Sequence, residues 1–130
     1  MIKLIRFSPL EMLGALLFLV AIGSIFYSQD TALRTFHRDE ARRTAINAIH
    51  YNLKEVVQPA LKGYPSTLNE KQLSSMNSDH LRDPNGVMIN QLGSDYHYEP
   101  TGCNGGVLCS GYTLRADLER EVDFIKTEDD

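Results

Sequence analysis

The sequence lacks the residue patterns on which most enzymes depend. It contains no Gly-x-Ser-x-Gly pentapeptide, no His-Glu-x-x-His motif and no glycine-rich loop of the kind that binds phosphate before a helix. The histidines are scattered at spacings that do not suit a shared metal ion, and each is expected to be a surface or half-buried polar residue. The sequence therefore predicts a protein that is not an enzyme.

Cysteine is scarce as well, which excludes a cysteine-rich metal site. Cys103 and Cys109 are the only two, they do not form Cys-x-x-Cys, and no histidine lies between or beside them. They lie in a glycine-rich stretch, well after the apolar run of residues 13–27, a candidate membrane-spanning segment. Cysteines that are exported to an oxidising compartment commonly form disulfides. We expect a disulfide between them, since a domain of about 70 residues has only a marginal hydrophobic core.

Charge is missing from one long stretch of the chain. From Leu13 to Tyr27 no side chain is charged, and with Pro9 to Glu11 this run approaches the roughly 20 residues that cross a bilayer. Lys3 and Arg6 precede the run and no acidic residue is among the first six, so the positive-inside rule places the N-terminus in the cytoplasm and the rest outside. A cleaved secretory signal is not favoured, because no small-x-small cleavage site follows.

One carboxylate, that of Glu11, stands at the start of this apolar run. An ionised group there costs about 2.5 to 3.5 kcal/mol on the milder insertion scales unless a partner neutralises it. With Phe7 four positions earlier, the segment resembles the N-terminal signature of type IV pilins and pseudopilins. The resemblance implies cleavage before Phe7 by a prepilin peptidase, and pairing of Glu11 with the free amine of a neighbouring subunit. Arg6 stands where the family carries glycine, which leaves the cleavage open.

Beyond the apolar run, residues 28–62 have helical spacing. Their apolar side chains recur at threes and fours and form one predicted buried stripe, which consists of Leu33, Phe36, Ile46, Ile49, Leu53, Val56, Val57, Ala60 and Leu61. Joined to the apolar run, this segment predicts one helix of about fifty residues, or roughly 75 Å. Pro59 should weaken its last turn, and Gly63 should end it.

The remaining residues predict a small antiparallel sheet. Residues 96–99 and 112–119 alternate as strands do, with one face of the second strand on the helix, and residues 122–125 are a candidate last strand before a frayed acidic end. A Tyr-Pro pair at Tyr64, an Asp-Pro-x-Gly turn at Asp83 and a cysteine-bracketed loop also resemble the pilin-like family in their order. The predicted fold class is α+β, with a long helix packed on a small antiparallel sheet as in type IV pilins.

The chain is thus predicted to have four parts. Residues 1–6 are a short basic leader or cytoplasmic segment, and residues 7–27 are an apolar helix that crosses the membrane or forms a filament core. Residues 28–62 are the amphipathic continuation of that helix. Residues 63–130 are a small exported β domain with a disulfide loop.

Two further sets of residues are candidate sites. Because the loop after the Asp-Pro turn can bind calcium in the pseudopilin family, the resemblance implies a calcium site at Asp83 and Asp95; no other cofactor is expected. Arg34, Arg38 and Arg42 recur every four residues and suit either a DNA track or the acidic side chains of an adjacent subunit. The net charge of −4 does not support nucleic-acid binding, and the acidic tail is complementary, so we expect these arginines to face a partner.

The resemblance implies a structural subunit of a type IV pilus-like filament, serving motility, adhesion, DNA uptake or secretion. Its partners would be other pilin-like subunits, the assembly machinery and, before assembly, the cytoplasmic membrane; the assembled filament would be extracellular. The alternative is a single-pass membrane-anchored protein whose exported domain binds a partner and never polymerises. Arg6, in place of the leader glycine, favours this alternative.

Overall fold

The computed structural model describes residues 8–73, 75–103 and 105–130. The predicted leader, residues 1–6, and Phe7 lie outside the described residues. The chain divides into two compact units, residues 1–35 and 36–130, and helix α1, Pro9–Asn52, contributes residues to both.

In the first unit, the start of α1 is fixed by a capping box. The Ser8 Oγ accepts the backbone N–H of Glu11 at 3.2 Å, and the Glu11 Oε2 accepts the backbone N–H of Ser8 at 2.7 Å. These bonds satisfy two of the amides that a helix N-terminus leaves without intrahelical partners. Pro9 follows at the first helical position, where its missing N–H costs nothing.

In the second unit, α1 buries a stripe of apolar side chains. Ile46, Ile49, Leu53 and Val57 are buried as predicted, and Ala45 joins them. The predicted stripe is wrong at Leu33, Phe36, Val56, Ala60 and Leu61, which are all exposed. The packed stretch therefore ends near Val57, and the last turns of the helical segment face away from the core.

The end of the helical segment adapts to a proline. Residues Leu53–Val57 form a π-helical turn, in which Gln58 donates its N–H to the Leu53 carbonyl, and α2, Gln58–Leu61, follows. Pro59 has no N–H, and its ring would clash with the carbonyl four residues earlier in a regular α-helix. The wider turn relieves this clash.

The helix stops at Lys62, so the prediction that Gly63 ends it is wrong. Lys62 adopts the left-handed conformation with φ 57° and donates its N–H to the Gln58 carbonyl at 2.7 Å. Gly63 serves close packing instead, because a Cβ there would lie 3.2 Å from the Cys109 carbonyl oxygen.

Two small antiparallel sheets complete the second unit, which confirms the α+β class. Strand β1, Tyr64–Pro65, pairs with β3, Leu108–Cys109. Strands β2, Tyr96–Thr101, β4, Gly111–Ala116, and β5, Phe124–Thr127, form a second sheet in the order β2-β4-β5. A 3₁₀ turn, Ser78–Leu81, lies in the connection between β1 and β2.

The larger sheet packs one face on the helix, as its alternation predicts. Tyr96 and Tyr98 of β2 and Tyr112, Leu114 and Ala116 of β4 are buried in one core with the helix stripe. The side chains between them point to the outer face of the sheet.

Three predicted strand boundaries need correction. β2 runs through Pro100, which is tolerated because β2 lies at the edge of its sheet. β4 ends at Ala116 and not at Glu119, since the chain turns there to bring the Glu119 N–H to the Asp39 Oδ1 at 2.9 Å. The last strand extends to Thr127.

The prediction of a frayed acidic end is also wrong. The Asp130 Oδ2 accepts the N–H of Thr127 at 2.7 Å, and the Glu128 Oε2 accepts the N–H of Tyr112 at 3.1 Å. The carboxylate of Glu128 thus continues the pairing of β4 where β5 has ended. Gly111 leaves room for it, because a Cβ there would meet the Glu128 Oε1.

The predicted disulfide between Cys103 and Cys109 is confirmed. Cys109 is buried in β3, so the bond ties the start of the loop after β2 to the small sheet. Its main effect on stability is to restrict the unfolded chain, which gains less freedom on unfolding when the loop is closed.

We expect Cys103→Ser to lower the free energy of unfolding of the full chain by about 2 to 3 kcal/mol, the entropy of a short closed loop. Chemical denaturation in detergent micelles under oxidising conditions measures it. Reduction with dithiothreitol should lower the free energy of unfolding of the wild type by the same amount as the substitution does. It should leave the stability of Cys103→Ser unchanged. Equal stability of the oxidised wild type and the variant would contradict the prediction.

Candidate functional site

The first unit presents an apolar surface that is not buried within that unit. From Leu10 to Tyr27 the helix carries apolar side chains on all sides, and none of them is buried. The most exposed include Leu10, Met12, Leu16, Leu17, Phe18, Leu19, Val20, Phe26 and Tyr27. The helix is long and apolar enough to cross a membrane. Because this surface has no counterpart within its unit, it is the principal candidate functional site.

The serine hydroxyl groups in this surface and directly after it form hydrogen bonds inside the helix. The Ser24 Oγ donates to the Ala21 carbonyl at 2.8 Å, and the Ser28 Oγ donates to the Ile25 carbonyl at 2.8 Å. Bonds of this kind let a hydroxyl remain in an apolar medium, where an unsatisfied polar group costs several kcal/mol. The segment is therefore chemically suited to lipid or to a packed helix bundle.

Glu11 lies at the N-terminal end of the surface, and its carboxylate belongs to the capping box with Ser8. The spacing Ser-x-x-Glu, which is typical of a capping box, was visible in the sequence. The predicted pairing of Glu11 with an amine on Phe7 of a neighbouring subunit involves a residue outside the described ones. Within the described residues, Glu11 helps to start the helix.

The prediction that Arg42 faces a partner is wrong. Arg42 is only 3% exposed. Its Nη2 lies 2.7 Å from the Asp95 Oδ2, and its Nη1 lies 2.8 Å from both the Asp39 Oδ1 and the Glu119 Oε1. The acidic partners do exist, but they belong to the same chain.

The other two predicted arginines are more exposed. The Arg38 Nε and Nη2 donate to the two oxygens of Glu119 at 2.7 and 2.6 Å, which is a bidentate ion pair. Arg34 pairs with Asp30 at 2.8 Å on the helix surface of the first unit. Arg38 is thus engaged by its own chain, and Arg34 remains a surface residue.

The pKa of Glu119 reflects these contacts. Hydrogen bonds from Arg38 first, and then from Arg42, lower the pKa of its carboxyl from 4.5 to about 2. Glu119 therefore stays ionised through the whole physiological range and holds both arginines.

Asp39 is a structural residue that the sequence did not reveal. It is buried on α1, and besides Arg42 it accepts the backbone N–H of Glu119 at 2.9 Å and of Arg120 at 3.2 Å. It thereby attaches the connection between β4 and β5 to the helix. An aspartate among many charged residues carries no local signal of such burial.

The two candidate calcium ligands lie close together but accept hydrogen bonds from their own chain. The Asp83 Oδ1 accepts the N–H groups of Asn85 and Val87, both at 2.9 Å, and its Oδ2 accepts the N–H of Asp95 at 3.0 Å. The Asp95 Oδ2 in turn binds Arg42. A calcium ion would have to compete with these donors, so the calcium site stays a prediction. The described ranges contain no group of three His, Cys, Asp or Glu residues suited to a metal.

Comparisons with protein families, with characterised proteins and with solved structures give no match for this chain.

Arg42→Met should destabilise the second unit by about 3 to 5 kcal/mol, because the buried Asp39 and the half-buried Asp95 would lose the cation that neutralises them. The same change at the exposed Arg34 is the matched control and should cost about 1 kcal/mol or less. Denaturant unfolding of the full chain in micelles measures both. Similar losses for the two variants would show that the buried cation has no special role.

Stability should also fall as the pH is lowered from about 4.5 towards 2. The folded pKa of Glu119 is lower than its unfolded value, so its contribution is fully present above 4.5 and is lost as the carboxylate protonates near 2. Glu119→Gln should be less stable at neutral pH and should show a flatter pH profile within this window. A profile as steep as that of the wild type would assign the acid sensitivity to other carboxyl groups.

Proposed function

We propose that this chain is a structural subunit of a type IV pilus-like filament that assembles through its N-terminal helix. One observation carries the proposal: an apolar helical surface, exposed on all sides and headed by a carboxylate, precedes a small α+β domain. An unassembled subunit would keep this surface in the cytoplasmic membrane, with its N-terminus in the cytoplasm. The filament would replace the lipid by sister helices.

The small residues of the helix support this exchange of lipid for protein. A Cβ at Gly14 or Gly23 would meet no atom within 4 Å, so their own chain does not require glycine there. Small residues let helix backbones approach closely, and this packing drives association where lipid and protein are equally apolar. Ala15 and Ala21 extend the same property along the helix.

Glu11 has two roles to reconcile in this proposal. Its carboxylate is held by the Ser8 N–H at 2.7 Å, a bond that also begins the helix. Assembly requires the same carboxylate to pair with an amine of a neighbouring subunit. A neutral side chain such as glutamine can also form the capping bond. The pairing with an amine, in contrast, requires the negative charge of the Glu11 carboxylate.

A single-pass anchor with an exported domain that does not polymerise is the second candidate. Arg6 favours it, because a leader peptidase that requires glycine would not cut after Arg6. Phe7 would then have no free amine. Both candidates place the apolar helix in a membrane, and they differ in whether that helix later leaves it.

We expect Glu11→Gln to enter the membrane normally and to be depleted from sheared filaments by tenfold or more. Glutamine still caps a helix at this position, so this variant removes the charge and retains the capping bond. Ser8→Ala is the matched control, since it weakens the cap and keeps the charge; it should assemble close to wild-type levels. Immunoblots of membrane and sheared fractions, in cells that carry the assembly machinery, measure both.

Normal assembly of Glu11→Gln together with a defect in Ser8→Ala would reduce Glu11 to a capping residue. The intact mass of the recovered wild-type chain separates the two candidate functions. A chain that begins at Phe7 supports the filament subunit, and a chain that begins at Met1 supports the permanent anchor.

A further inference from the structure

The free edge of β2 is closed by the chain itself. The Asn90 Oδ1 accepts the N–H of Tyr98 at 2.7 Å, and its Nδ2 donates to the Tyr98 carbonyl at 2.9 Å. The backbone N–H of Asn90 donates to the Tyr96 carbonyl at 3.1 Å. The next outward residue is Pro100, which has no N–H. This edge therefore has little capacity to pair with another strand.

The opposite edge, formed by β5, is open at Ile125. The N–H and C=O of Tyr98 point away from β4, toward Asn90. The N–H and C=O of its β4 partner Leu114 therefore point away from β2, toward Lys126 of β5. Because backbone direction alternates along a strand, the neighbouring Ile125 turns its N–H and C=O to the free side. No residue in the described ranges forms a hydrogen bond with these outward groups.

Exposed apolar side chains accompany the open backbone. Ile125 is 51% exposed, and Val122, just before β5, is 88% exposed. At the other end of the strand, the Asp130 Oδ2 already accepts the outward N–H of Thr127 at 2.7 Å. The open part of the edge therefore lies before Thr127, where it combines free backbone groups with apolar surface.

We propose that the edge of β5 around Ile125 is a docking site for an extended, basic segment of another protein. Such a segment adds a strand to the sheet, and its main-chain groups bond to the N–H and C=O of Ile125. Its apolar side chains contact Ile125 and Val122. The site lies wholly in the second unit, so it does not depend on how the apolar helix is used.

The charge of the neighbourhood identifies the partner. Residues 121–130 contain five acidic side chains and one basic one. Arg43 and Arg115 engage Glu121 and Asp123, whereas Asp129 forms no ion pair with any residue that the structure describes. Lysine or arginine on the docking segment would therefore find unpaired negative charge beside the edge.

A second copy of this chain fits the edge poorly. Symmetric antiparallel pairing centred on Ile125 would place Asp123 of each copy opposite Thr127 of the other, whose outward N–H is already bonded to the Asp130 Oδ2. Such a pair would retain only the two backbone bonds between the two Ile125 residues, which gives little stability. The edge is thus open to a basic strand and protected against self-association.

Fluorescence anisotropy with the full chain in neutral maltoside micelles tests the proposal. The probes are two labelled peptides, one alternating valine with lysine and one alternating valine with glutamate. The basic peptide should bind and slow the amide hydrogen exchange of Ile125, and the acidic peptide should not. Asp129→Asn should weaken binding of the basic peptide and reduce its salt dependence.

Ile125→Pro removes the outward N–H without touching the bonds between β4 and β5, and it should weaken binding about fivefold, the effect of one lost hydrogen bond. Ile125→Val keeps the N–H and a branched apolar side chain, so it should bind as the wild type does. Equal binding of the two peptides, or binding that leaves the Ile125 amide unprotected, would overturn the proposal. Protection of that amide that rises with protein concentration alone would also overturn it, since the occupant would then be a second copy.

Discussion

The guanidinium of Arg42 is the contact on which the arrangement of the second unit depends. It joins Asp39 on the helix, Asp95 before β2 and Glu119 after β4, all within 2.8 Å. A buried cation is costly unless its partners are placed with good geometry, and removal of one partner leaves an uncompensated charge. The network therefore penalises any docking of helix and sheet in which these three segments do not meet.

The features that local sequence determines were the ones that could be predicted. The apolar run, the alternation of β2 and β4 and the pairing of Cys103 with Cys109 each follow from residues close in sequence. The burial of Arg42 could not be predicted in this way. Helical spacing shows which side of the helix Arg42 lies on, but it does not show which residues pack against that side. Complementary acidic charge was expected from another subunit, and residues 95 and 119 of the same chain supply it.

The ends of elements were harder to predict for the same reason. A glycine after a helix is a strong local signal, yet Lys62 takes the left-handed conformation and Gly63 allows β3 to approach. Pro100 suggested the end of a strand, but an edge position makes its missing N–H harmless. The acidic tail is ordered by two hydrogen bonds, in which the carboxylates of Glu128 and Asp130 accept backbone N–H groups. At Gly63, Pro100 and Glu128 a contact distant in sequence outweighs the local preference, whereas Asp130 acts through a local bond.

The presence of a glutamate at position 11 is not explained by capping alone. A glutamine there would also bond to the Ser8 N–H, and it would enter an apolar environment at lower cost because it carries no charge. The carboxylate adds a desolvation penalty that the capping bond only partly offsets. A helix start gains only about 0.3 to 1 kcal/mol from a negative charge in its first turn, and a neutral glutamine would also cap it. A chain that must recognise a cationic group on a neighbour would require the charge, which is why we propose an assembly role for the apolar helix rather than a passive anchor.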